Sequence, residues 1–148
     1  MRRAAIVIAA VLVVAAGTWL VVRVLRPDSA PAVETDRIRV DAPRPGDLVE
    51  SPLVVRGEAR GSWYFEADFP VVLVDWDGLI IAEGFARAQD DWMTEDFVPF
   101  RAELRFESPY ERGDPEFMER GTIILQRANP SGLPENDAAV EVPLRFEP

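Results

Sequence analysis

Three stretches of this chain alternate apolar and charged side chains with a period of two, the mark of a β-strand with one dry face and one wet face. In Leu53–Arg60, positions 53, 55, 57 and 59 are apolar or small, whereas 56, 58 and 60 are charged. Phe100, Ala102, Leu104 and Phe106 alternate with Arg101, Glu103, Arg105 and Glu107. Val140, Val142, Leu144 and Phe146 alternate with Glu141, Pro143, Arg145 and Glu147. Each stretch predicts a half-buried antiparallel strand. Pro143 has no N–H to give to a ladder, so its strand is expected at an edge, or with this position turned outward.

A fourth stretch, Phe69 to Trp76, is apolar on both faces and predicts a more central strand. Asp77-Gly78 supplies residues that accept a positive φ, which predicts a tight hairpin into Leu79-Ile80-Ile81-Ala82. Thr122 to Arg127 adds another strand, and Ile38 to Val40 opens the domain before the turn Pro43-Arg44-Pro45-Gly46. Seven or so strands in roughly 110 residues, with no convincing helix, predict an all-β domain over 37–148, an immunoglobulin-like antiparallel β-sandwich. A small closed barrel is the competing architecture.

Ahead of that domain, Ala4 to Val22 contains no charged residue and is flanked by Arg2, Arg3, Arg23 and Arg26. Nineteen helical residues reach nearly 30 Å, about the thickness of a bilayer core. Trp19 is placed for the interface, and the arginines for the headgroups. Residues 1–26 are therefore expected to form a single transmembrane signal-anchor that tethers the chain to the cell membrane, with the C-terminal domain extracytoplasmic. Cleavage as a signal peptide, near Gly17 or after Ala32, is the alternative and would release a secreted form. Residues 27–36, rich in proline, alanine and acid, are expected to be an extended linker.

Composition closes off several chemistries. All sixteen basic residues are arginine, and the chain has no histidine and no cysteine. The commonest general base, the commonest metal ligand, thiol catalysis and thiolate metal sites are thereby removed. From Asp28 onward twelve arginines face twenty-six acids, a net charge of −14. Such a surface repels nucleic acid and anionic lipid and favours a cationic partner.

The order of short signatures along the domain resembles the immunoglobulin-like domain of bacterial spore-germination proteins, one of the domains that accompany the GerMN domain. The resemblance runs from Ile38 to Phe146. It rests on the strand and turn of IRVDAPRPG, on Ser51-Pro52-Leu53 and on Gly57-x-Ala59-x-Gly61. Trp63-Tyr64-Phe65-Glu66-Ala67-x-Phe69, Asp75-Trp76-Asp77-Gly78, Asp91-Trp92-Met93-Thr94 and Phe97-Val98-Pro99-Phe100 continue it. Gly121-Thr122-Ile123, the loop Asn129 to Asn136 and Val142-Pro143-Leu144 complete it. The resemblance implies a cell-envelope module with no catalytic residues to carry over. Nothing of the GerMN domain itself is present.

Two sets of residues are candidate sites. Trp63, Tyr64 and Trp92 are aromatics of the kind that stack on sugar rings or anchor a protein partner. The competing reading of the first cluster is packing: alternation places Trp63, Phe65 and Phe69 on the core side and Tyr64 with Glu66 on the other. Asp90, Asp91, Glu95 and Asp96 offer carboxylate oxygens for Ca²⁺, with Asp75 or Asp77 as further donors. Against this, the loop's carboxylates also serve as acceptors for turn N–H groups, and Asp75-Trp76-Asp77-Gly78 reads as a hairpin turn. No phosphate-binding loop or nucleophile elbow is present, and paired carboxylates of a glycoside-hydrolase kind carry no signal among twenty-six acids.

The reading of the whole is a non-catalytic binding or assembly module without cofactor, contacting an envelope protein or a glycan. A purely structural spacer is the alternative.

Overall fold

The structure, a computed structural model, describes residues 32–148. The expected anchor at 4–22 lies outside the described residues. Among the described residues no helix is long and apolar enough to cross a membrane.

Among the described residues nine strands form one hydrogen-bonded sheet: β1 (Val33–Glu34), β2 (Ile38–Ala42), β3 (Leu48–Val49), β4 (Leu53–Arg60), β5 (Asp68–Val74), β6 (Ile80–Ala88), β7 (Phe97–Leu104), β8 (Arg120–Gln126) and β9 (Ala139–Phe146). Their order across the sheet is β1-β2-β4-β7-β6-β5-β8-β9-β3. The seven longer strands lie where strands were expected, three from alternation and four from apolar runs and turn signals; β1 and β3 are two-residue additions, and β1 falls within the stretch expected to be linker. The edge strands β1 and β3 do not pair with each other, so the sheet is not a closed barrel. Every pairing is antiparallel except β3 with β9, which is parallel.

The sheet curls back on itself at the β6–β7 junction. There only Arg87 with Arg101 and Ala88 with Phe100 are paired, against eight pairs between β4 and β7. Strands β1, β2, β4 and β7 therefore make one layer, and β6, β5, β8, β9 and β3 the other. The inner faces meet through Phe69 and Phe100, edge to face with centroids 5.1 Å apart, and through Phe106 and Phe146 at 5.5 Å. The alternation holds across this core. Val55 and Ala59 of β4, Phe100, Ala102 and Leu104 of β7, and Val142, Leu144 and Phe146 of β9 are all buried. This architecture is consistent with an immunoglobulin-like fold.

The local signals act as their chemistry demands. Asp77-Gly78 turns the β5–β6 hairpin with Gly78 at φ +83°, and the Asp75 carboxylate accepts the Asp77 and Leu79 N–H groups at 2.9 Å. The second strand of that hairpin runs on to Ala88, past the expected Ala82. Pro143 faces outward, and its carbonyl accepts the Gly46 N–H at 2.9 Å.

Gly57 and Gly61 are required by close approach. A Cβ on Gly57 would run into the Arg39 carbonyl and lie 2.9 Å from the Phe100 ring. One on Gly61 would run into the carbonyls of Trp92 and Thr94, where the 92–96 loop crosses the end of β4. Both obstacles are backbone, which cannot rotate away. Gly57→Val and Gly61→Val are expected to lower stability by about 1–3 kcal/mol each, read as a fall in melting temperature by circular dichroism. Unchanged melting would show that the loop and β2 yield freely.

Candidate functional site

The segment joining β4 to β5 departs from period two. Gly61–Trp63 closes a 3₁₀ turn, and Glu66 and Ala67 take positive φ values of 53° and 68° before β5 begins. Within a 3₁₀ turn, side chains no longer point alternately up and down. Trp63 is 3 % exposed and Tyr64 5 %, whereas Phe65 is 46 % exposed. This corrects the expected placement of both Phe65, assigned to the core, and Tyr64, assigned to the other face.

Trp63 and Tyr64 converge on Phe69, at centroid distances of 6.3 and 5.3 Å. The Tyr64 hydroxyl donates to the Val98 carbonyl at 2.7 Å, while the Trp63 indole N–H is buried without an acceptor. Burial pushes the Tyr64 phenol well above its ordinary pKa. Neither ring presents a face to solvent, so the pair closes one end of the core in place of the stacking platform considered from sequence. Trp92 is half-buried and packs against the same core.

The acidic loop is organised by its own backbone. Asp90 accepts the Asp91 N–H at 2.8 Å, and Asp91 accepts the Met93 N–H at 3.0 Å. Among the described residues no group of three or more acidic side chains is arranged to hold a metal. Asp90, Asp91, Glu95 and Asp96, the calcium candidates, are therefore not brought together. Asp75 is occupied with the hairpin turn.

A different feature emerges from the two outer faces, which are opposite in character. The outer face of the first layer is charged. Arg39 pairs with Glu34 at 2.8 Å and Glu58 at 3.7 Å, and Glu103 lies 2.8 Å from Arg105 and 3.9 Å from Arg101. Its one aromatic ring, Phe97, is covered by the guanidinium groups of Arg39 at 3.9 Å and Arg60 at 4.5 Å.

The outer face of the second layer is apolar in its middle, with Asp68 and Arg87 towards one end and Arg120 and Arg145 towards the other. Because Phe69, Val71 and Leu73 of β5 point inward, Pro70, Val72 and Val74 point outward. Residues directly opposite across a ladder share a face. Val74 thus lies between Ile80 and Thr122, Val72 beside Ile124, and Pro70 beside Phe85. A bulge sets Val74 opposite Ile80 and Leu73 opposite Ala82, which carries Ile81 towards the core and Ile80 outward. Ile80 is 54 % exposed and Phe85 57 %. At the hairpin end Trp76 packs edge to face on Phe117 at 4.9 Å and prolongs the surface. Sequence reading missed this face, although its signal was present: a strand apolar on both sides needs something to cover the second.

A family model described as the immunoglobulin-like domain of bacterial spore germination matches residues 37–120, more than half of the chain. The chain belongs to this family. The match takes in the Gly57-x-Ala59-x-Gly61 and Trp63-Tyr64-Phe65 signatures and ends at the start of β8, ahead of the later stretches that resembled the same domain. The germination immunoglobulin-like domain is a non-enzymatic type of family. No curated protein and no solved structure matches the chain.

For a member of this family with its aromatics in the core, substitutions at 63 and 64 are expected to act on stability. Trp63→Ala should cost about 3–5 kcal/mol and Tyr64→Phe about 1 kcal/mol in chemical denaturation. The raised Tyr64 pKa also has a sign. The unfolded chain loses the phenolic proton near pH 10 while the folded one keeps it, so stability is full below about pH 10 and falls above it. Tyr64→Phe is expected to flatten that alkaline fall, and an identical slope in the variant would remove Tyr64 from the titration.

Proposed function

We propose that this chain is a non-catalytic binding module of the cell envelope, held at the outer side of the cell membrane by residues 4–22, which engages an envelope protein through the outer face of β6, β5, β8 and β9. The observation that carries this reading is the contrast between the two outer faces. Ion pairs and guanidinium groups cover one, so it is made for water; the other leaves Ile80 and Phe85 exposed beside the half-exposed Val72, Val74 and Ile124. A large contiguous apolar patch on a soluble surface marks an interaction site.

A protein suits this face better than a glycan. Sugar rings bind by stacking on exposed aromatic rings, and here the exposed rings, Phe85 and the Trp76–Phe117 pair, are set apart by the aliphatic Val72 and Val74, while Trp63 and Tyr64 are in the core. A structural spacer has no use for an uncovered apolar sheet face and would gain solubility by losing it. The non-catalytic part of the reading rests on the family type and on the missing histidine and cysteine.

A photoreactive phenylalanine analogue placed at Ile124 of the full chain, in the cells that produce it, is expected to give adducts with another protein. The same analogue at Arg56 or Arg101, on the ion-paired face, should give none. Absence of adducts from Ile124, or equal yields from both faces, would overturn the reading.

A further inference from the structure

The following rests on the reading of that outer face as the contact surface, and adds the chemistry of what covers it. Glu83 lies opposite Val72, Val72 opposite Ile124, and Ile124 opposite Glu141. One row across four strands therefore reads carboxylate, apolar, apolar, carboxylate. Neighbouring strands are about 4.8 Å apart, which sets the two glutamates about 14 Å apart along the row. Both are exposed, and among the described residues no arginine lies within ion-pair distance of either.

This row excludes two occupants by charge. An anionic lipid surface is repelled by both carboxylates and by the −14 net charge of the chain from Asp28 onward. A second copy meets the same obstacle. If two such faces pack with their strands aligned about a two-fold axis through the middle of this row, that axis lies either along the strands or across them. In the first case Glu83 of one copy faces Glu141 of the other; in the second each glutamate faces its own counterpart. Either way a carboxylate is buried against a carboxylate.

The row fits an occupant of the opposite pattern. An α-helix is about 10–12 Å across with its side chains, close to the span between the two glutamates. Its apolar stripe can rest on Val72 and Ile124, while long basic side chains on both flanks reach outward to the carboxylates. We propose that this face receives an amphipathic helix of another protein, whose apolar stripe is bordered on both sides by lysine or arginine.

The test uses the full chain, purified, with the photoreactive analogue at Ile124 and two synthetic helical peptides. Both peptides carry the same leucine stripe; one has it flanked by arginine and the other by glutamate. The arginine-flanked peptide is expected to reach half-maximal adduct at a concentration at least tenfold lower than its glutamate-flanked twin. Glu83→Gln with Glu141→Gln should erase that difference while leaving the melting temperature in place, since both side chains are at the surface. Equal labelling by the two peptides, or discrimination that survives the double substitution, would sink the proposal. So would chain-to-chain adducts formed without peptide, which would assign the face to a second copy. If cellular adducts form from Ile124 and yet the peptides are not told apart, the docking face stands and the basic-flanked helix falls.

Discussion

Phe69 is the side chain on which both layers close. Its ring meets Phe100 edge to face across the interior, and Trp63 and Tyr64 seal it from the end of the sheet. A ring of this size, fully buried, anchors the direction in which β5 presents its side chains. With a period of two there is no freedom left afterwards: Val71 and Leu73 must follow Phe69 inward, and Val72 and Val74 must face out. The apolar outer surface is thus a consequence of the core. Shifting β5 by one residue would bury Val72 and Val74 well enough, but it would expel Phe69 and part it from Phe100.

The same geometry accounts for the division of labour between the two faces. On β2, β4 and β7 the outward positions carry arginine and glutamate, which pair with one another and shield Phe97. Exposed pairs of this kind contribute little to stability, so their main effect is to keep that layer hydrated. On β5 and β8 the middle outward positions, Val72, Val74 and Ile124, are aliphatic, while Asp68, Arg120, Thr122 and Gln126 are polar, and the flanking strands β6 and β9 bring Glu83 and Glu141 to the border. This member of the germination immunoglobulin-like family thus carries one ion-paired outer face and one with an apolar middle, both set by the same core.

Legibility in the sequence followed the reach of local rules. The seven longer strands and the Asp77-Gly78 hairpin could be read because alternation and turn chemistry are properties of consecutive residues. Between Gly61 and Ala67 those rules stop. The 3₁₀ turn and two positive-φ residues reset the phase, so Tyr64 enters the core and Phe65 leaves it. The glycines of Gly57-x-Ala59-x-Gly61 were visible as a signature, but their reason was not. It lies in the Arg39, Trp92 and Thr94 carbonyls that other parts of the chain bring against them. The acidic loop was conspicuous for its composition, yet its carboxylates answer their own backbone N–H groups.

What the residue order determined by itself was the seven longer strands, the inward-facing set of those that alternate, and the absence of histidine and thiol chemistry, because each depends on spacing or on residue type alone. It also carried the doubly apolar character of β5. What only the tertiary structure decided was which outward residues become neighbours. Val72 and Ile124 are far apart in the chain and adjoin through the pairing of β5 with β8, and Glu83 and Glu141 come to border them through two further ladders. A surface is made by register between distant strands, and register is set by the shared core that closes around Phe69.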